Sequence, residues 1–241
     1  MKKIKLGVFG ASGRVGKELL MLASQGKIFS PVVGVGNRQA PEGFQYGLTK
    51  LDKKATGVDI FVDFSLPEAF SEIVSFCVAH KIPLVSGTTG LTSAHRAEMQ
   101  KASKKIPLLW SSNMSVGIAT LRKALAVLSQ LEGFDFQIEE FHHNRKKDKP
   151  SGTAITLQQD LEGILHKKMP EVLSIRGGGI FGVHRIFAMS DEEVITFEHQ
   201  ALNRTVFAKG ALYAAQWLLH QKPGMYQMTD VLNQKRMGEA K

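Results

Sequence analysis

Between Glu139 and Ala154 the chain reads EEFHHNRKKDKPSGTA, setting His142 and His143 beside Arg145, Lys146, Lys147 and Lys149. An imidazole, with an unperturbed pKa of ~6.5, carries a proton near neutral pH, and the basic side chains hold an anion. Three partners suit such a stretch: a metal ion, a nucleic acid or a small anionic substrate. Metal is disfavoured, because neighbouring histidines on a strand point to opposite faces and no cysteine or carboxylate stands at a recognised zinc spacing. Nucleic acid calls for a broad basic stripe or a known module, whereas these charges form one short cluster. A solvated charge run would explain the composition alone.

The residues just beyond the cluster favour the small anion. Pro150-Ser151-Gly152-Thr153 leads into the helical run ITLQQDLEGIL. The amides of Gly152 and Thr153 then fall in the first helical turn, which has no intrahelical partner for them and suits a carboxylate. A proton donor, a lysine and a carboxylate clamp are the equipment of a reductase acting on an unsaturated acid, provided a hydride source lies elsewhere.

GVFGASGRVGKELL supplies that source. Gly10, Gly13 and Gly16 stand between a strand and a helix, where backbone amides can approach a pyrophosphate. The spacing is G-x-x-G-x-x-G, so Ser12 stands where the commoner motif has its second glycine. After the next strand, VVGVG, come Asn37 and Arg38 rather than an acid. An arginine there favours the 2′-phosphate of NADP, so NADPH is expected to be preferred and NADH accepted. Two further loops, SGTTG (Ser86 to Gly90) and SSNMS (Ser111 to Ser115), lie after strands in the same half. They offer small hydroxyl side chains to a cofactor or act as helix caps, Thr92 and Ser115 especially.

The elements that must position these groups emerge from periodicity. Strands are predicted at Ile4–Phe9, Val32–Gly36, Val58–Phe64, Pro83–Ser86 and Pro107–Trp110, with helices at Arg14–Ser24, Glu68–Lys81 and Thr92–Lys104. Apolar strands alternating with helices make an α/β domain, a Rossmann-like doubly wound parallel sheet. Met114–Leu131 reads as one long helix. Strands at Phe134–Phe141, Val172–Arg176, Ile180–Ala188 and Glu193–His199 then accompany a single helix, Ala154–Leu165. That pattern predicts a second, α+β domain with a mixed or antiparallel sheet. A helical tail at Gly210–Leu219 is expected to return to the first domain, which gives a dinucleotide domain at 1–115 completed by 206–241 and a substrate domain at 116–205.

Bulk properties exclude little more. The 241 residues carry a net charge of +9, which suits an anionic partner and says nothing of fold. The lone Cys77, in an apolar run, excludes a disulfide framework and fits a reducing compartment. MKKIKLGVFGASG turns glycine-rich before an apolar signal segment can form, and no run reaches the ~18 apolar residues of a membrane span. The chain therefore reads as cytoplasmic, with neither membrane nor nucleic acid as partner. Another NADP-dependent reductase of a small carboxylate, resembling homoserine dehydrogenase, and a nucleotide-sensing DNA-binding regulator remain as alternatives.

The histidine-lysine stretch resembles the signature E-x-H-H-x-x-K-x-D-x-P-S-G-T-A of the 4-hydroxy-tetrahydrodipicolinate (dihydrodipicolinate) reductase family. GASGRVG, VDFSLPEA, GTTG, SSNMSVG and the closing DVL stand in the family's order. The resemblance implies NAD(P)H-dependent reduction of a cyclic imine dicarboxylate in diaminopimelate and lysine synthesis. It makes His142 the proton donor, Lys146 a second acid or carboxylate partner, and His143, Gly152 and Thr153 substrate ligands. On the cofactor side it implies Gly10, Ala11, Ser12, Gly13, Arg14, Val15, Arg38, Gly87, Thr88, Thr89, Ser111, Ser112, Asn113 and Met114. It also implies a homotetramer built through the substrate-domain sheets. Asn37 departs from a well-known member of the family, which has an acid before the arginine, and Asn144 and Arg145 replace an arginine and a histidine in the histidine run.

Overall fold

The computed structural model describes residues 2–37 and 41–233, and Arg38 therefore lies outside the described residues. The chain divides into two compact units, one of residues 1–115 and 207–241, the other of 116–206.

The first unit is built on a seven-stranded sheet. Its strands are β1 (Ile4–Phe9), β2 (Phe29–Val35), β3 (Tyr46–Leu48), β4 (Ile60–Asp63), β5 (Leu84–Ser86), β6 (Pro107–Trp110) and β11 (Gly224–Tyr226). All pair in parallel, in the order β11-β6-β5-β4-β1-β2-β3. The helices are α1 (Arg14–Gln25), α2 (Pro67–His80), α3 (Ser93–Ser103) and α6 (Thr205–Leu218), with a 3-10 turn at Lys53–Gly57. From β1 the chain winds outward to β2 and β3, then returns to β4 and winds the other way. Right-handed crossovers therefore put α1 on the opposite face from α2 and α3, and the crevice of such a sheet opens where the order reverses, between β1 and β4. Near-continuous burial of β1, β4 and β5 results from cover on both faces. Phe61, Phe70, Ile73, Leu84 and Leu108 are fully buried within that core.

The second unit has four strands in the order β10-β9-β7-β8: β7 (Asp135–His142), β8 (Leu173–Arg176), β9 (Val183–Met189) and β10 (Val194–Gln200). β7 pairs with β8 in parallel and with β9 antiparallel, so the sheet is mixed. One face packs under α4 (Val116–Ala124) and α5 (Gly152–Leu165), where Leu121, Phe136, Ile138, Leu157, Leu161 and Ile186 form the core. Alternation along β7 buries Phe136, Ile138, Glu140 and His142 and leaves the residues between them partly open.

The structure departs from the sequence expectation in places that have physical reasons. The helix expected at Met114–Leu131 stops at Ala124 and continues as a 3-10 helix, Leu125–Gln130. Leu125 and Leu128, three apart, are both buried while Val127 is exposed, a spacing that suits three residues per turn. The strand expected from Ile180 starts only at Val183, because Gly177, Gly178 and Gly179 form a loop in which Gly178 takes φ +51°. No helix among the described residues is long and apolar enough to cross a membrane.

Candidate active site

In the first unit a cavity of about 900 Å³ opens at the carboxyl ends of β1, β2 and β4. Its wall includes Gly10, Ser12 and Gly13 from the glycine loop, Gly36, Asn37 and Thr49 beyond β2 and β3, and Phe64 to Leu66 beyond β4. The loop must be glycine for steric reasons. Gly10 has φ +81°, and a Cβ there would lie 2.5 Å from the Phe64 carbonyl oxygen. A Cβ on Gly16 would lie 2.5 Å from the Gly10 carbonyl oxygen, so α1 can approach the strand only without it. The amides of Gly10 and Ala11 both donate to the Val35 carbonyl, at 3.0 and 2.9 Å, tying the loop to β2. Gly13, the residue capping α1, offers no side-chain cap, which leaves the positive end of a 12-residue helix facing the cavity mouth. A cavity of this size at the sheet's reversal, ending on an uncapped helix, fits the pyrophosphate of a dinucleotide.

The two hydroxyl loops are organised inward. Asp63, fully buried at the end of β4, accepts from Ser86 Oγ at 2.6 Å, Thr88 Oγ1 at 2.8 Å and the Ser65 amide at 2.8 Å. Burial pushes the Asp63 carboxyl up, and these neutral donors only partly offset it. The Thr88 carbonyl accepts from Trp110 Nε1 at 2.9 Å. The Thr88 hydroxyl lies within reach of both Asp63 and, at 3.4 Å, the Ser65 carbonyl. Gly87 is explained by packing, since a Cβ there would run into the Phe64 ring at 2.4 Å. Ser111 Oγ donates to the Asn113 carbonyl, and Asn113 Oδ1 accepts from the Ser115 amide, closing the turn before α4. Thr92 caps α3 reciprocally with His95.

In the second unit the inward face of β7 ends in charge. Glu140 is fully buried, and its Oε2 is hydrogen-bonded to His142 Nδ1. Arg176, opposite His142 across the β7–β8 pair, grips the same carboxylate in a fork, Nη1 to Oε2 at 2.8 Å and Nη2 to Oε1 at 2.7 Å. The Ser151 amide completes the shell at 3.2 Å. Burial alone would raise the Glu140 carboxyl, but the bonds from His142 and Arg176 more than reverse this and hold it well below the usual carboxylate range.

Ser151 is the N-cap of α5, its Oγ accepting from the Ala154 amide at 3.2 Å and lying 3.2 Å from His184 Nε2. His184 packs edgewise on His142 with ring centroids 5.2 Å apart. Burial, and then the charge of His142, push His184 down to about 3, so it is neutral at physiological pH. The start of α5, with Gly152 and Thr153 as its first two residues, is in this way fastened to the histidine cluster. Lys146 Nζ pairs with Asp148 Oδ2 at 2.9 Å. His143, half-buried, is held below its ordinary value by burial and then by Arg145 and Arg204.

Comparison with known proteins decides which chemistry this arrangement serves. Family models described as dihydrodipicolinate reductase, N-terminus and C-terminus, match residues 4–114 and 115–232. A curated relative from Bdellovibrio bacteriovorus, named 4-hydroxy-tetrahydrodipicolinate reductase, is 53% identical over 96% of this chain and 97% of its own length. The chain belongs to the dihydrodipicolinate reductase family. A second relative of the same name, from Xanthomonas campestris pv. campestris, is 40% identical over 95% of the chain and 98% of its own length. Among solved structures, a dipicolinate-bound dihydrodipicolinate reductase from Paenisporosarcina sp. TG-14 superposes with a TM-score of 0.79 at 19% identity, covering 95% of this chain and 99% of that one. These findings support the reductase reading over a homoserine-dehydrogenase-like enzyme or a regulator.

Within this family member, the residues expected from sequence separate into groups. Gly10, Ser12 and Gly13 line the cavity; Ala11, Arg14 and Val15 belong to the same loop and helix start without forming its wall. Gly87, Thr88, Thr89 and Ser111 to Met114 sit beyond β5 and β6, outside that wall. His142 joins the α5 start through Glu140 and Ser151, whereas Lys146 and His143 occupy the adjoining loop. Residue type and spacing alone give no role to Glu140, Arg176, His184, Ser151 or Asp63. The i, i+2 spacing of Glu140 and His142 on a strand was a usable signal for one of these, since it puts both on one face.

Proposed function

We propose that this protein reduces 4-hydroxy-tetrahydrodipicolinate to tetrahydrodipicolinate, using NADPH by preference and also NADH. The observation that supports it most is the histidine cluster fastened to the start of α5, in a chain 53% identical to a relative of that name. The glycine loop, the α1 start and Arg38 hold the dinucleotide, Arg38 taking the 2′-phosphate. When bound, the reduced nicotinamide supplies a hydride for C4 of the ring, from which water is lost before or during reduction. The Gly152 and Thr153 amides take one carboxylate of the substrate, and Lys146 exchanges Asp148 for the ligand's charge. His143 adds a hydrogen-bonding ring. His142 then gives its proton to the ring carbon of the enamine that remains.

The test is NADPH oxidation on adding freshly made 4-hydroxy-tetrahydrodipicolinate. Oxidation with that compound and none with aspartate semialdehyde alone is the expected outcome; the reverse removes the reading. Repeating it with each cofactor for Arg38→Ala should show a larger loss with NADPH than with NADH. Lys146→Ala should lower kcat and raise KM together.

The protein is further proposed to be a cytoplasmic homotetramer. Support comes from the sheet face turned away from α4 and α5, which carries Phe141, Leu173, Ile175, Phe187 and Val194, of which Leu173 and Val194 are 54% and 60% exposed. Light scattering after chromatography reads the mass directly, and Leu173→Lys should shift it toward smaller species.

A further inference from the structure

We propose that Glu140, clamped by Arg176, is the positioning residue that sets His142 for proton transfer, presenting Nε2 and stabilising the charged ring. The role rests on the reductase reading, but its geometry stands in the second unit by itself. An ionised carboxylate can only accept, so the nitrogen facing it, Nδ1, must carry a proton in every state of the ring. Nε2 is left as the nitrogen that can gain or lose one. That nitrogen faces Gly182, where a Cβ would stand 3.0 Å from it. The absence of a side chain at Gly182 keeps the reactive end of the ring clear.

Arg176 makes the arrangement hold. A carboxylate buried beside an imidazolium would take the proton for itself unless a second cation kept it ionised. The fork from Arg176 does this, and Arg176 is fixed in turn by donating to the Asp148 carbonyl at 2.5 Å and the Ile175 carbonyl at 2.8 Å. The other titratable groups around the pair are His184 and His199 from β9 and β10, and His143, Lys146 and Asp148 from the loop after β7. His184 is neutral and the Lys146 charge is balanced by Asp148, so Glu140 is the anion in direct contact with His142.

Glu140→Gln in the full chain tests this. Expected are a fall in kcat on the order of 10²-fold, KM within about threefold, unchanged NADPH affinity by calorimetry, and an alkaline limb of the kcat–pH profile moved to lower pH. Glu140→Asp, which keeps the charge, should recover part of kcat and return the limb toward the parent position. Adding Glu140→Gln to His142→Gln should cost nothing beyond His142→Gln alone, because the one acts through the other. A limb that stays in place, or losses that multiply in the double variant, would reduce Glu140 to a scaffold role and overturn the proposal. Should Glu140→Gln not fold, Glu140→Asp and the nitrogen-15 signals of the parent protein carry the test: His142 must show a protonated Nδ1 when the ring is neutral. That spectrum is independent of turnover, so a protein inactive on the proposed substrate would still confirm or refute the tautomer.

Discussion

Among the described residues, each unit buries one carboxylate near the carboxyl end of a strand, and the two are treated in opposite ways. Asp63 is surrounded by neutral donors, two hydroxyls and an amide, and burial raises its carboxyl. Glu140 is equally inaccessible but faces a guanidinium and an imidazole, and its carboxyl is driven down. The desolvation cost is common to both; the formal charge of the partners decides the outcome. Hydroxyl donors make a carboxyl into a fastener for loops, here the one from Ser86 to Gly90. A cation and an imidazole instead keep the carboxyl ionised in the interior. Burial of an acid therefore does not mark a reactive site until its partners are known.

The contrast can be broken most directly at the imidazole. His142→Gln should lower kcat by roughly 10²–10⁴-fold with NADPH affinity nearly unchanged, whereas Asp63→Asn should leave kcat within a few-fold. Comparable losses from the two in a steady-state assay would erase the distinction. Stability gives the next largest effect. Glu140→Gln leaves Arg176 buried without its counter-charge and should cost ~3–5 kcal/mol in the second unit, read from amide exchange along β7. Asp63→Asn keeps an acceptor for Ser65, and hydroxyls can rotate to accept from its amide, so the cost along β4 should stay below ~1 kcal/mol.

Acid sharpens the comparison by sign. His184 sits at about 3 in the folded protein against 6.5 ordinarily, so below 6.5 the unfolded chain binds the extra proton. Stability of the second unit is then complete above that pH and falls by ~1.4 kcal/mol per unit as pH drops toward 3. Glu140, depressed from 4.5, adds a further loss below that value. Asp63 is raised from 3.8, so acid relieves it and the first unit gains from that group as pH falls through its folded value. Exchange protection of β7 and β4 between neutral and mildly acid pH should diverge; parallel loss would contradict the assignment. A small effect is expected at Thr88, where Thr88→Val removes one of two hydroxyl donors to Asp63 and should cost about 1 kcal/mol in urea unfolding.

Sequence carried the parts of this contrast that are local. The glycine loop and the alternation of apolar strands with helices sufficed for the doubly wound sheet, because both signals lie within one or two elements. β3 and β11, three residues each, are too short for any periodicity to show, and their pairing depends on neighbours far along the chain. The histidine stretch was readable by residue type, yet its electrostatics were not. Glu140 needs Arg176, 36 residues on, and Ser151 needs His184, 33 residues on; only the β7–β8 and β7–β9 pairings bring them together. Thr88 shows the converse. Its residue type suits a ligand contact, and only the tertiary structure shows that its hydroxyl also donates to Asp63.

The bond from the Trp110 indole to the Thr88 carbonyl has an optical consequence. Both tryptophans, Trp110 and Trp217, and all three tyrosines, Tyr46, Tyr213 and Tyr226, belong to the first unit, while residues 116–206 contain neither type. Intrinsic emission therefore reports the dinucleotide-binding half alone, with one fluorophore wired to the loop that Asp63 anchors. A tryptophan placed in the silent half of a variant with Trp110 and Trp217 replaced by phenylalanine would move the signal to that half, without any attached dye.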